Sequence, residues 1–200
     1  MRPRSLMDPI LGIAALFEGD GAREYLGEPV TQAQHMLQTA ALASVAGAPP
    51  PLVAAALLHD VGHFHGVVTG AQLMEGTDNR HSDTGADWLA RWFGPAVTEP
   101  VHLHVAAKRY LCTVEPGYHA RLSDASRFTL SVQGGPFTAE QAASFQELPY
   151  ASDAVALRRW DEQSKDPKAR VPGFDSYRGM LRLLLRPAVV SVQDRRGGGS

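Results

Sequence analysis

Cysteine is almost missing from this chain. Cys112 is the single one in 200 residues. An intrachain disulfide framework is therefore excluded, and a reducing, cytoplasmic setting is expected. Long apolar runs are missing too: none reaches the roughly 18 residues that a membrane span needs. Charge of one sign does not dominate either. The formal net charge is -2, so no global basic surface points to nucleic acid. Alternating β-branched stretches hardly occur, and no internal repeat is evident. The first residues, MRPRSLMDPILGIAALFEGDG, are basic and then apolar. Asp8 followed by Pro9 reads as a helix start, with Asp8 as N-cap and Pro9 at N1. No small-residue cleavage site follows, so no signal peptide is expected.

What is present is alanine and leucine at helical spacing. The hydrophobic share is 44%, enough for one domain over residues 1–190, with DRRGGGS marking 191–200 as a flexible tail. The periodicity predicts helices near 8–18, 29–46, 50–63, 80–93, 98–112, 122–132, 138–147, 150–164 and 174–185. Pro29, Pro50 and Pro51 suit helix starts, and Pro187 follows the last helix. Gly19 to Gly27 reads as a loop. His65 to Asn79 is a longer segment without periodicity, of the kind that often forms a lid or binding loop. The expected class is all-α, a bundle of irregular topology.

The stretch LLHDVGHFHG, Leu57 to Gly66, gathers three of the chain's eight histidines. The helix before it is apolar on nearly every face, which predicts burial. His59 and Asp60 would then point inward, and a buried carboxylate needs a cation or strong donors. Alone, the pair fits a satisfied core histidine beside an aspartate as well as it fits a metal site. Other helices shift the balance. His35, His81, His104 and Asp161 each sit in a different one. Imidazole nitrogens and carboxylate oxygens suit iron, manganese or zinc. Six such side chains exceed the needs of one tetrahedral metal and suit two, with Asp60 as bridge. His102 lies about 200° around the helix from His104, so only one of them can face such a site. His65 and His119 read as ordinary loop residues.

Donors recur one turn from these residues. His63 follows His59 by four, Lys108 follows His104 by four, and Arg158 precedes Asp161 by three, spacings that share a helix face. Singly, Lys108 and Arg158 are ordinary solvated charges. Their common offset suggests convergence on an anion beside the metals. Ser126 and Gln133, seven apart, add polar groups on one face. Gly134 and Gly135 suit either a C-cap or close approach to a ligand.

The order of histidines and aspartates resembles the HD-domain superfamily, an all-α bundle whose members are mostly metal-dependent phosphohydrolases. The stretches HVAAKRYL at 104–111, LSDAS at 122–126, QGGP at 133–136 and RRWDE at 158–162 resemble more narrowly its phosphonate-cleaving di-iron oxygenases, relatives of myo-inositol oxygenase. The likeness runs from about Tyr25 to Tyr177. It implies two iron ions in the mixed-valent Fe2+/Fe3+ state and O2 as co-substrate. The implied substrate is 1-hydroxy-2-aminoethylphosphonate or its N-trimethyl analogue, giving phosphate and glycine or glycine betaine. One iron would take His35, His59, Asp60 and Asp161, the other Asp60, His81 and His104. His63, Lys108, Ser126, Gln133 and Arg158 would hold the phosphonate, with His63 and Lys108 in catalytic roles. In YLGE, Tyr25 would ligate iron before substrate enters, and Glu28 would meet the substrate ammonium. The loop after the doublet departs from the amino-substrate branch and looks closer to the form linked with N-methylated substrates. A quaternary ammonium would want aromatic faces such as Tyr25 and Phe64, or the Glu28 carboxylate.

The resemblance implies a small-molecule partner, a monomer or small homo-oligomer, and neither nucleic acid nor membrane. Two other readings compete. A phosphohydrolase would use the same ligands with Mn2+, Co2+ or Mg2+, although many of these have lysine at the position of His63. A regulatory HD module would typically have lost ligands, and all six are present here.

Overall fold

The computed structural model describes residues 8–19, 28–64 and 80–187. Among the described residues there is no strand, only an isolated antiparallel bridge between Phe93 and Leu185. The elements are α1 (Pro9–Glu18), α2 (Gln32–Val45), α3 (Pro50–Leu58), a 3-10 turn (Val61–Phe64), α4 (His81–Leu89), α5 (Pro95–Val114), α6 (Tyr118–Arg121), α7 (Asp124–Val132), α8 (Ala139–Gln146), α9 (Ala151–Gln163), a second 3-10 turn (Phe174–Tyr177) and α10 (Arg178–Leu184). The all-α expectation holds. No described helix is long and apolar enough to cross a membrane.

Local chemistry sets the helix ends. Asp8 accepts the Ile10 N–H at 2.9 Å, with Pro9 at the first helical position. α2 begins later than Pro29 suggested. Thr31 and Gln34 form a reciprocal capping box, satisfying two orphan N–H groups, and this fixes the start at Gln32. α5 is longer than predicted and runs through the buried Pro100. Pro95 nucleates it further upstream, and the missing Pro100 N–H forfeits one hydrogen bond without ending it. The predicted 122–132 helix is present and starts two residues later, at Asp124. Ser123 caps α7 by accepting the Ser126 N–H, and the short α6 precedes it.

The main correction concerns residues 50–63. α3 ends at Leu58 and the chain tightens into the 3-10 turn, where the His63 N–H bonds the Asp60 carbonyl at 3.0 Å. His63 is therefore not one α-helical turn beyond His59. α3 itself is the buried centre, with Leu52 through Leu58 all in the core. Each fully buried Val or Leu there is worth roughly 1.5–3 kcal/mol. α2, α5, α9 and α10 pack around α3, and α4 packs on α5 and the 3-10 turn. This arrangement brings the ends of α3 and α9, the starts of α2 and α4, and the middle of α5 to one buried place.

Candidate metal centre

Asp60 lies at the middle of that place, 3% exposed. Its two oxygens face opposite ways. Oδ2 lies 3.6 Å from His35 Nε2 and 3.5 Å from His59 Nε2. Oδ1 lies 3.6 Å from His81 Nε2 and 3.8 Å from His104 Nε2. Asp161 Oδ1 joins the first group, 3.2 Å from His35 Nε2 and 4.0 Å from His59 Nε2. Two triads therefore share one carboxylate: His35, His59 and Asp60, and Asp60, His81 and His104. All six residues expected as ligands sit here, buried.

The proton positions fit metal ions. His35 Nδ1 faces the Ser164 carbonyl at 3.0 Å, His59 Nδ1 that of Ala56 at 2.9 Å, and His104 Nδ1 that of Val101 at 2.6 Å. A carbonyl only accepts, so each Nδ1 carries a proton, and in the neutral ring this leaves the Nε2 lone pair for a metal ion. Yet His35 and His59 bring their Nε2 atoms within 3.2 Å of each other, and His81 and His104 within 3.0 Å. Lone pairs at that separation, beside carboxylate oxygens, repel unless a cation lies among them. Carbonyl-anchored imidazoles around a shared carboxylate are a metal-binding arrangement.

Burial opposes ionisation of Asp60, but the imidazoles of His59, His63, His81 and His35 outweigh it and hold the carboxyl well below its usual range. Burial likewise opposes Asp161, and the Arg158 guanidinium beside it wins. Burial pushes His104 down to about 4, with neighbouring His59 adding to the effect. His81 is driven well below its ordinary value by burial and by His63. The unfolded chain binds these protons near pH 6.5, so the folded state loses stability as pH falls from there toward 4. His104 alone accounts for about 3 kcal/mol across that window. His35 is raised, its bond to Asp161 overcoming burial, and offsets part of this. Chelated protein is thus expected to show a much lower urea midpoint at pH 5 than at pH 7. Equal midpoints would show that the histidines do not remain neutral inside.

The remaining expected residues fall at different distances from this centre. The His63 ring stacks on His81, centroids 4.2 Å apart, with Nε2 3.9 Å from Asp60 Oδ1. Lys108 is buried and donates to Thr129 Oγ1 at 2.9 Å; burial first, then Arg158, lowers its ammonium to about 7. Arg158 is not the free cation that its spacing suggested. It donates to Tyr118 Oη, Asp161 Oδ2, Ser126 Oγ and Glu162 Oε2. Gln133 caps the end of α7 and lines a cleft of about 220 Å³ with His81, His102 and Arg109. Its buried Oε1 has no hydrogen-bond partner. Gly134 and Gly135 follow that cap with positive φ, and the Gly135 N–H bonds the Leu130 carbonyl, so they serve to end the helix. Glu28 Oε1 is engaged by Lys165 Nζ at 2.9 Å and Ser123 Oγ at 2.6 Å. His102 stands off the centre, paired with Asp83 at 3.2 Å, and His119 is exposed. Tyr25, His65 and most of the 64–80 loop lie outside the described residues.

Three participants were not selected from spacing. Gln32 donates to Asp60 Oδ2 at 2.8 Å. It precedes His35 by three, the rule that picked out Arg158, and so was legible. Lys165 bonds Ser123 Oγ and Ser126 Oγ at 2.9 and 3.0 Å. Glu162 binds both Arg158 and Lys165. Glu162 follows Arg158 by four and Lys165 follows Asp161 by four, so these two share the same offsets.

Comparison with known proteins agrees with this geometry. The HD domain family model matches residues 33–115, which span five of the six candidate ligands and stop short of Asp161. The chain is 41% identical over 174 residues to [1-hydroxy-2-(trimethylamino)ethyl]phosphonate dioxygenase (glycine-betaine-forming) of Leisingera caerulea, covering 86% of this chain and 88% of that one. It is 41% identical over 176 residues to hydroxymethylphosphonate dioxygenase of Gimesia maris, covering 82% and 84%. An uncharacterized protein of Acanthamoeba polyphaga mimivirus is 33% identical over 171 residues, covering 84% and 78%. With its buried histidine–aspartate centre and these near full-length relatives, the chain belongs to the HD-domain phosphonate dioxygenases, a family of oxidoreductases.

Proposed function

We propose that this protein binds two iron ions, in the Fe2+/Fe3+ state, and uses O2 to cleave the C–P bond of a small 1-hydroxyphosphonate. The observation that carries this reading is the Asp60 carboxylate shared between two histidine pairs. His35, His59, Asp60 and Asp161 would hold one iron and Asp60, His81 and His104 the other. When bound, the irons supply the redox chemistry that oxygen insertion requires.

The chain's own groups position the substrate. Lys108, Ser126, Gln133, His63 and Arg158 would receive the phosphonate, Lys108 and Arg158 neutralising its charge. Burial of these side chains excludes water and strengthens each charge interaction. The atom count closes with one O2 and no external reductant. The substrate hydroxyl oxygen and one added oxygen make the carboxylate on C1. The other added oxygen converts the departing phosphonate to phosphate, and one proton is released.

The amine end favours the N-trimethyl analogue. The ammonium of Lys165 already meets Glu28, which leaves that carboxylate poorly placed for a directional bond to a primary amine. A quaternary group asks for none. Hydroxymethylphosphonate, named in one relative, has no amine and belongs in the same test. On iron-loaded protein, kcat/KM for phosphate release should be highest with the trimethyl substrate. A clear preference for the primary amine would reverse this choice.

Lys108→Ala is expected to raise KM by about 10- to 100-fold, the loss of one buried charge-assisted contact. Metal content should be retained. Loss of both irons in that variant would contradict the assignment of Lys108 to the phosphonate.

A further inference from the structure

Glu162 follows Asp161, yet its carboxylate serves a different set of groups. Oε1 accepts the Ser123 backbone N–H at 3.1 Å and Lys165 Nζ at 3.2 Å. Oε2 accepts the Ser126 hydroxyl at 3.1 Å and an Arg158 guanidinium N–H. One carboxylate thus collects two cations, a hydroxyl and a main-chain N–H. That is the donor set an oxyanion such as a phosphonate recruits.

Ser126 makes the conflict definite. A hydroxyl has one hydrogen and two lone pairs. Ser126 Oγ accepts from Lys165 at 3.0 Å and from Arg158 at 3.3 Å, and its one hydrogen goes to Glu162. Nothing is left for it to donate while Glu162 stays. Lys165 is shared in the same way, among Glu28, Ser123, Ser126 and Glu162. The Glu162 side chain keeps 12% exposure, so a path toward solvent exists on leaving these donors.

We propose that Glu162 is an internal occupant of the anion subsite, and that the substrate phosphonate displaces it from Ser126, Lys165 and Arg158. This rests on the phosphonate reading above. Lys165 then becomes a further phosphonate-binding cation. Glu162 sets the threshold for entry: an anion must outcompete a carboxylate that never leaves the chain, which selects against weakly charged ligands.

The test is calorimetric titration of inorganic phosphate into the full-length, iron-loaded protein. Glu162→Gln keeps the shape and removes the charge. It should bind phosphate about tenfold more tightly, the effect of one charge-assisted hydrogen bond. Lys165→Met should bind about tenfold more weakly by the same measure. Opposite signs from two neighbours in one network are the signature, because a purely structural network would weaken binding in both. Unchanged or weaker binding in Glu162→Gln overturns the exchange. Ser126→Ala separates the two levels. Loss of binding there supports the phosphonate assignment, and no effect overturns that assignment together with the exchange.

Discussion

Gly62→Ala should cost at least about 3 kcal/mol of stability and empty the metal position of His81 and His104. A Cβ at Gly62 would lie 1.9 Å from the His81 carbonyl oxygen, 2.7 Å from its carbon and 2.9 Å from the Gly85 nitrogen. All three contacts are to backbone, so no side chain can turn aside. Gly85 returns the constraint, since a Cβ there would sit 3.1 Å from the Gly62 nitrogen. The two glycines let the 3-10 turn lie directly on the first turn of α4. His81 is the first residue of α4, so whatever moves its carbonyl moves a candidate metal ligand. Thermal melts with metal analysis check this. Gly12→Ala is the control: its Cβ would meet nothing within 4 Å, and in α1 it should gain roughly 0.5–1 kcal/mol from helix propensity. A Gly62→Ala protein with normal stability and two metals would refute the close approach.

Asp60→Asn should lower activity by at least about 10³-fold, the several kcal/mol that correctly held metals contribute. The loss should be asymmetric. Gln32 donates to Asp60 Oδ2, so an asparagine would turn its carbonyl toward Gln32 and its NH2 toward His81 and His104. A donor then replaces an acceptor where the second metal is held. The substitution also removes the charge that the surrounding imidazoles stabilise. Metal content is expected to fall to one per chain or fewer, with the His35, His59 and Asp161 position surviving longer. Two tightly bound metals in Asp60→Asn would contradict a bridging carboxylate.

The buried histidine–aspartate cluster was legible because burial makes polar residues conspicuous. An apolar helix ending in histidine and aspartate demands partners, and His35, His81, His104 and Asp161 recur on other helices to meet that demand. Helix starts were legible where one residue decides them, as Asp8 does for α1. They were misplaced where two signals compete, as the Thr31 and Gln34 capping box overrode Pro29. His63 lies beside Asp60 and His81, but not by the route its spacing implied. The spacing implied a continuous helix, whereas contact between Gly62 and α4 tightens the chain there. Arg158 shows the limit of counting charges by offset, because its guanidinium is largely spent on Asp161 and Glu162. The convergence of Glu28 and Ser123 on Glu162 and Lys165 could not be read. It depends on three distant segments meeting, and no local periodicity encodes that.

The most direct test of the central claim uses iron-loaded protein and a 1-hydroxyphosphonate, with phosphate and dissolved O2 followed together. Phosphate should appear only when O2 is present, at one phosphate per O2 consumed. Equal phosphate release under strictly anaerobic conditions would make the same histidine–aspartate centre hydrolytic and would contradict the oxygenase reading.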